Sequence, residues 1–461
     1  MKYLKTSLVL VIVLLLHFFL LVNTLFTLWP EMVVYPYLLN NKFLLYRDII
    51  NPYTPLFIQF LRFFSMHFGY QPLPYQLFTW ATILFIDLLI FKFSLIISKS
   101  FKRSIFATLF FVVFSLSLAI NGLWFDLVQT PLIIISIYFF YSNYKNKDIQ
   151  KLAISFTILA IAFFIKQQVI WLFISYVLIL FVKNHDQISK KLQRILLLFL
   201  PFLILFLIQL FYFKSKSTEQ DFIYWAIYFP FIKSSNLPGY ILLPNLKQLF
   251  ITLLIFLIFL PLFKNKKSPK ILLFFSIFLL LFTIPRFDYF HLIPAFSILA
   301  ILSSTYKLDL DKAKLLSAVS IISFLLLSAF SIRYFQRNWN HNIRFFEQDV
   351  QIAATLLKFL RTQSPIYIQN GPDQIYPLSL TLPVKPWADE FPWYLEKSDL
   401  QDKVVDALRQ QNPKIILFQP YSKSTEFDLG SYRPQKIADY LDANYTDIQN
   451  ITNTLVLKKK K

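Results

Sequence analysis

No cysteine occurs anywhere in the chain, so disulfides and thiolate chemistry are excluded from the start. Glycine is almost as scarce, at 5 of 461 residues, and neither a Gly-rich nucleotide cradle nor a Walker motif is present. Only 5 histidines occur. No His/Asp/Glu set has the spacing of metal ligands, so no metal site and no cofactor are expected, with metal dependence left open. Charge is the third deficit. Charged residues make up 15% of the chain, against roughly 25% in average soluble domains. Apolar residues fill the gap: 56% of the chain is hydrophobic and Phe alone occurs 54 times. A water-soluble protein of this size has nowhere to bury so much apolar surface, whereas a bilayer solvates it. The net charge of +21 does not point to nucleic acid, because the basic residues sit in short clusters between apolar runs and form no continuous stripe.

Crossing about 30 Å of hydrocarbon takes about 20 apolar residues as a helix. Such runs predict a polytopic α-helical membrane protein of about eleven spans. They lie near 6–27, 72–97, 104–121, 123–142, 150–165, 168–183, 192–213, 246–263, 270–285, 289–305 and 314–332. The first run is basic, then apolar, and has no small-residue cleavage site, which reads as a retained span. Residues 55–70 are apolar on one face and too short to cross, as in an interfacial helix. Lys99, Lys102 and Arg103, then Lys145, Lys147 and Lys151, then Lys264, Lys266, Lys267 and Lys270, and Lys307, Lys312 and Lys314 fall on every second connection. The positive-inside rule makes those connections cytoplasmic. The expected arrangement is a multi-pass protein of the plasma membrane, N-terminus inside and C-terminal part extracytoplasmic. Asp87 and Lys92 fall within the second span and read as bundle-interior or snorkelling residues.

From about residue 333 the character changes. DVQIAATLLKFLRTQ, DLQDKVVDALRQQ and residues 433–441 have helical patterns, while SPIYIQ, PKIILFQP and TNTLVLKK read as strands. Alternation of this kind predicts a small α/β domain over 333–461, following a membrane domain over 1–332. A Pro- and aromatic-rich stretch between its first strand and next helix carries Trp387, Trp393 and Tyr394, which are candidates for stacking on sugar rings or for simple loop packing.

The polar oddities collect on the expected outer side. Arg47 and Asp48 lie in the first outer loop, Asp126 follows NGLWF, and Lys166 and Gln167 sit between two apolar runs. Arg286, Asp288 and His291 belong to PRFDYFHLIP. Charged groups at a membrane boundary are costly and usually mark a functional pathway. A carboxylate, several cations and a wet cleft at headgroup level suit group transfer from an anionic lipid carrier. The carboxylate removes the acceptor's hydroxyl proton, and Lys or Arg stabilises the departing phosphate. Asp48 is the candidate base, although Arg47 is also a candidate ion-pair partner for it. Lys166 and Arg286 are the candidate phosphate contacts, both expected to border water. Asp288 and His291 are placed to orient Arg286 or to meet the acceptor.

The order of Tyr46-Arg47-Asp48, Tyr53-Thr54-Pro55-Leu56, Gly122-Leu123-Trp124-Phe125-Asp126, Lys166-Gln167 and Arg286-Phe287-Asp288-Tyr289-Phe290-His291 resembles the GT-C superfamily of membrane glycosyltransferases. The branch is the protein mannosyltransferase-like and lipid A aminoarabinose transferase-like one, of the glycosyltransferase family 39 type. The likeness covers roughly residues 1–335. It implies an inverting transferase that uses a polyprenyl-phosphate sugar as donor on the outer face, with the first-loop Asp as base. That role falls to Asp48. Relatives often carry an acidic pair in this loop, whereas Asp48 is followed by Ile49 and Glu31 is the only other carboxylate nearby. The implied partners are the lipid bilayer, the lipid-linked donor and an unidentified acceptor in the cell envelope, whether glycan, lipid or protein. A transporter or lipid-carrier flippase is the alternative; it would place charge pairs near the midplane and often show internal repeats.

The orientation is open to a direct check. Single cysteines at Asn41 and Gln435 in this Cys-free background should both react with a membrane-impermeant thiol reagent on intact cells. Labelling at 41 with protection at 435 would show an even number of spans.

Overall fold

A computed structural model of the protein describes residues 2–144, 148–183, 188–237, 239–264, 269–306, 314–340, 342–360, 365–396, 399–421, 432–452 and 455–461. Of the cations used for orientation, Lys145, Lys147, Lys266, Lys267, Lys307 and Lys312 lie outside the described residues. The chain divides into two compact units. The first comprises Met1–Phe26, Gln76–Leu207 and Leu243–His341; the second comprises Thr27–Tyr75, Ile208–Leu242 and Asn342–Lys461.

Helices dominate the first unit. Among the described residues five helices are long and apolar enough to cross a membrane: Pro72–Ser98, Phe101–Leu118, Phe125–Asn143, Ile188–Lys214 and Leu315–Asn338. Shorter apolar helices occupy the other expected spans, including Ile149–Phe163, Leu246–Leu257 and Tyr289–Ser303. Exposed Leu196, Leu197 and Phe211 show that the Ile188–Lys214 helix turns apolar side chains outward, as a lipid-facing surface requires. None of the four glycines among the described residues lies in a helix, and helix contacts are made by aromatic rings and small hydroxyls. Phe110 and Phe111 pack on Phe296, and Phe140 stacks on Tyr176 with centroids 4.0 Å apart. Beside that stack, Ser136 Oγ lies 3.1 Å from both the Tyr176 hydroxyl and Ser155 Oγ. Hydroxyls satisfied in this way give direction to an otherwise greasy interface.

Two polar devices fix the first helix, Lys2–Asn23. Its last carbonyls have no partner within the helix. Asn121 Nδ2 donates to Leu21 O at 2.8 Å and lies 3.2 Å from Thr24 O, while its Oδ1 accepts from Trp80 Nε1 at 3.0 Å. Further along, His17 Nδ1 lies 2.7 Å from Asp87 Oδ2, with both side chains fully buried. Asp87 is thus a bundle-interior residue, whereas Lys92 is exposed.

In the second unit the first loop is largely helical. Glu31–Asn40 is buried along nearly its whole length. Leu56–Phe68 buries Phe57, Ile58, Leu61 and Ser65 and leaves Phe63, Met66 and Phe68 outside. Asn40 Nδ2 joins the two helices by donating to Ser65 Oγ and the Tyr70 hydroxyl, each at 3.0 Å. The C-terminal stretch contributes a four-stranded sheet in the order Tyr367–Gln369, Ile415–Phe418, Val456–Lys460, Tyr445–Asn450. The first pair is parallel and the other two are antiparallel. Helices Gln348–Leu360, Leu400–Gln411 and Gln435–Asn444 accompany it.

The His17–Asp87 pair generates a prediction. Removing one partner of a buried pair costs about 3–5 kcal/mol, because the other is stranded. Asp87→Leu should therefore lower the unfolding midpoint of the detergent-purified protein, and His17→Leu/Asp87→Leu should recover most of the loss. A double variant no more stable than the single one would show that the two side chains are not energetically paired.

Candidate active site

Three of the expected site residues meet in the first unit. Asp126 opens the Phe125–Asn143 helix, Lys166 precedes the short 3-10 turn Gln167–Val169, and His291 lies in the turn Tyr289–Leu292. Lys166 Nζ donates to Asp126 Oδ2 at 2.7 Å. His291 Nδ1 lies 3.0 Å from Asp126 Oδ1, off the line of a hydrogen bond, and 3.4 Å from Lys166 Nζ. One ring nitrogen cannot serve both neighbours at once. Protonated, Nδ1 can donate toward Asp126; unprotonated, it can accept from Lys166. The triad is closed to water: Asp126 is 0% and Lys166 4% exposed. Lys166 therefore does not border water as the sequence suggested. The apolar runs on either side of it fold over the ammonium, and the Asp126 carboxylate replaces its hydration.

The neighbouring residues divide by role. Arg286 is partly exposed and close enough for its charge to be felt at His291. Asp288 accepts from Tyr289 N at 2.6 Å, capping the short turn that carries His291. Gln167 is buried beside Lys166 in the chain. Gln168, in the same turn, donates through Nε2 to Phe282 O at 2.8 Å and Ile284 O at 3.1 Å, tying the turn to the segment that leads into Arg286.

Arg47 and Asp48 belong to the second unit, and they do not pair with each other. Arg47 Nε contacts Asp221 Oδ2 at 3.1 Å and its guanidinium also donates to Ser217 O. Asp48 Oδ2 accepts from Leu44 N at 2.9 Å and from Lys385 Nζ at 3.2 Å. The backbone around it is equally engaged: Trp387 N donates to Asp48 O at 2.8 Å, and Ile50 N donates to Trp387 O at 3.0 Å. In this arrangement the Asp48 carboxylate fastens the first loop to the Pro-rich stretch. Trp387, Trp393 and Tyr394 are buried, and Phe391 stacks on Trp393 at 4.2 Å. These rings pack against protein instead of standing free for a sugar.

A different first-loop carboxylate has the properties of a base. Glu31, in the first turn of the Glu31–Asn40 helix, is 7% exposed and its Oε2 has no hydrogen-bond partner among the described residues. Burial, with Asp389 adding like charge, pushes its carboxyl up to about 8. Asp389 is itself raised by burial to about 7, against the Tyr35 hydroxyl that donates to its Oδ2 at 3.0 Å. Glu390, raised by burial to about 7, accepts from the Tyr367 hydroxyl and from Asn370 N, both at 2.7 Å. A carboxyl poised near neutrality gives or takes a proton readily. The only sequence signal for Glu31 is its place just after the first helix. Among the described residues no group of three or more His, Asp or Glu side chains has the arrangement of a metal site.

No protein-family model and no curated protein matches this sequence. Solved structures do match in fold. The apo structure of ArnT from Cupriavidus metallidurans superposes with a TM-score of 0.58 at 10% identity, covering 99% of this chain and 98% of that one. The same protein bound to undecaprenyl phosphate gives 0.56 at 12% identity, over 98% and 97%. The oligosaccharyltransferase AglB from Archaeoglobus fulgidus, in complex with an inhibitory peptide and a dolichol-phosphate, gives 0.51 at 9% identity, over 97% and 73%. ArnT, a lipid A aminoarabinose transferase, and AglB are GT-C superfamily members, and the fold of this chain is the GT-C fold.

The triad separates the two cations experimentally. Lys166→Ala strands a fully buried Asp126 and should cost about 3–5 kcal/mol of folding stability. Arg286→Ala, at a partly exposed site, should cost under about 1 kcal/mol. Equal unfolding midpoints for the two variants in detergent would refute the closed ion pair.

Proposed function

We propose that this protein is an inverting membrane glycosyltransferase that moves a sugar from a polyprenyl-phosphate donor to an extracytoplasmic acceptor. The full-length match in fold to membrane glycosyltransferases carries the reading. Undecaprenyl phosphate on one of those neighbours and dolichol phosphate on another support a polyprenyl phosphate as the leaving group here. The outward assignment of the first loop and of residues 333–461 rests on the distribution of Lys and Arg between the apolar runs.

The reaction is a single displacement. The acceptor hydroxyl oxygen attacks the anomeric carbon while the bond from that carbon to the phosphate oxygen breaks with inversion. The electron pair leaves on the polyprenyl phosphate, whose growing charge needs a cation. Arg286 suits that role better than Lys166, because it is partly exposed whereas Lys166 is buried against Asp126, and Gln167 and Asp288 belong to the adjacent turns. The hydroxyl proton goes to a first-loop carboxylate. Asp48 is the expected residue, and its oxygen is tied to Lys385 and Leu44. Glu31 has a free oxygen and a proton affinity near neutrality. That contrast assigns the base to Glu31 and gives Asp48 and Arg47 the task of holding the loop.

Glu31→Gln should lower single-turnover transfer by about 10²–10⁴-fold with donor binding retained. Asp48→Asn should act on the unfolding midpoint more than on the turnover of folded protein. A panel of polyprenyl-phosphate sugars with detergent-purified enzyme provides the assay. Full turnover in Glu31→Gln together with the large loss in Asp48→Asn would return the base to Asp48, and no transfer from any donor by the wild type would defeat the transferase reading.

A further inference from the structure

The proton affinity of Glu31 has a structural source outside the first loop. Glu31 and Tyr35 are one helical turn apart, so their side chains share a face of the Glu31–Asn40 helix. The Tyr35 hydroxyl holds Asp389 Oδ2 at 3.0 Å, which places a carboxylate from the Pro-rich stretch over that same face. Both acids are more than nine-tenths buried, and Glu31 Oε2 has no hydrogen-bond partner. The groups that face Glu31 electrically are acids and phenols: Asp389 and Asp373 from the Pro-rich stretch, Tyr35 on its own helix, and Tyr394. Tyr53 acts on Tyr35, and Glu390 on Asp373. Among the described residues no Lys, Arg or His forms an ion pair with Glu31, Asp373, Asp389 or Glu390. Two carboxylates in such a site cannot both ionise cheaply, so one of them retains a proton.

We propose that Glu31 and Asp389 form an interacting carboxylate pair that holds one proton, in which Tyr35 fixes Asp389 and Asp389 acts as a positioning residue for the catalytic base. This rests on the transferase reading only for its use in catalysis; the pair itself is a property of the folded chain. Before transfer the pair carries one proton and one negative charge. When the acceptor hydroxyl is deprotonated the pair becomes doubly protonated and neutral, and the proton returns to water as product leaves. The pair charges no further than one unit at any stage, which avoids two adjacent buried anions. A base made stronger by its neighbour takes a hydroxyl proton more readily than an exposed glutamate does.

The test uses full-length protein in detergent and reads protonated carboxyl groups directly by infrared difference spectroscopy against pH. Wild-type protein should show a protonated-carboxyl component that survives past neutrality and is missing in Glu31→Gln. In Asp389→Asn that Glu31-dependent component should titrate at lower pH, by about one unit or more. Tyr35→Phe removes the phenol that favours ionised Asp389, so it should move the component in the same direction by less, and it keeps the proposal testable if Asp389→Asn fails to fold. The acid limb of the pH–rate profile should follow the spectroscopic shift in each variant. A Glu31 component that titrates at the same pH in folded Asp389→Asn would overturn the pairing. Loss of the wild-type component on adding Mg²⁺ or Mn²⁺, with a raised unfolding midpoint, would show a cation in place of the proton and would also overturn it. A spectroscopic shift without transfer from any donor would uphold the pair and reject the transferase reading.

Discussion

A carboxylate taken out of water must be neutralised, and this chain meets that constraint in two opposite ways. Among the helices of the first unit the answer is a side chain: Lys166 stands against Asp126 with His291 beside them, and His17 stands against Asp87. A polar group in such surroundings has few ways to be satisfied, so the partners fix which helix turns face each other. In the second unit the burial is as deep, but the neighbours of Glu31 are acids and phenols, and the compensation is a proton. The first solution gives fixed charge and rigid placement. The second gives a site whose charge can change during a reaction, which a base requires.

The first loop shows how such a site is kept in register. Asp48, Lys385 and the backbone of Trp387 form a short lattice of side-chain and main-chain hydrogen bonds, and Tyr37 donates to Thr381 O at 2.9 Å one step further along. Each contact joins residues more than 300 positions apart in the chain. The Pro-rich stretch therefore works as a tie across the helix that carries Glu31. Its buried rings, Trp387, Trp393 and Tyr394, supply the apolar weight, and the acids lie between them.

Much of the helical layout was legible from the apolar runs, because a span announces itself by length and by the polar clusters at its ends. One later strand and one later helix are legible for the same reason: Ile415–Phe418 is a continuous apolar run and Leu400–Gln411 has one apolar stripe. Tyr445–Asn450 was not, since YTDIQN is polar and its side chains after Tyr445 are exposed at the edge of the sheet. The meeting of Asp126, Lys166 and His291 is legible in motif and order. Asp48 stood out because it follows Tyr-Arg, yet what decides its role is Lys385, far away in sequence. Glu31 is visible in the sequence only as the other carboxylate near the first loop; what distinguishes it is the charge of Asp389, distant in sequence and brought within reach by folding.

The helix lengths carry a consequence for the surrounding lipid. Ile188–Lys214 has 27 residues, but Lys190, Lys191 and Arg194 occupy its first two turns, so its apolar stretch matches the roughly 30 Å of an average hydrocarbon core. Ile149–Phe163 has 15 residues, well under that thickness. A helix that matches the core needs no adjustment, whereas a short one is accommodated by drawing the headgroups inward. The annulus around this protein is thus uneven in thickness. Its elastic cost depends on acyl-chain length, so the protein has a built-in preference among membrane regions that differ in nothing but their lipids.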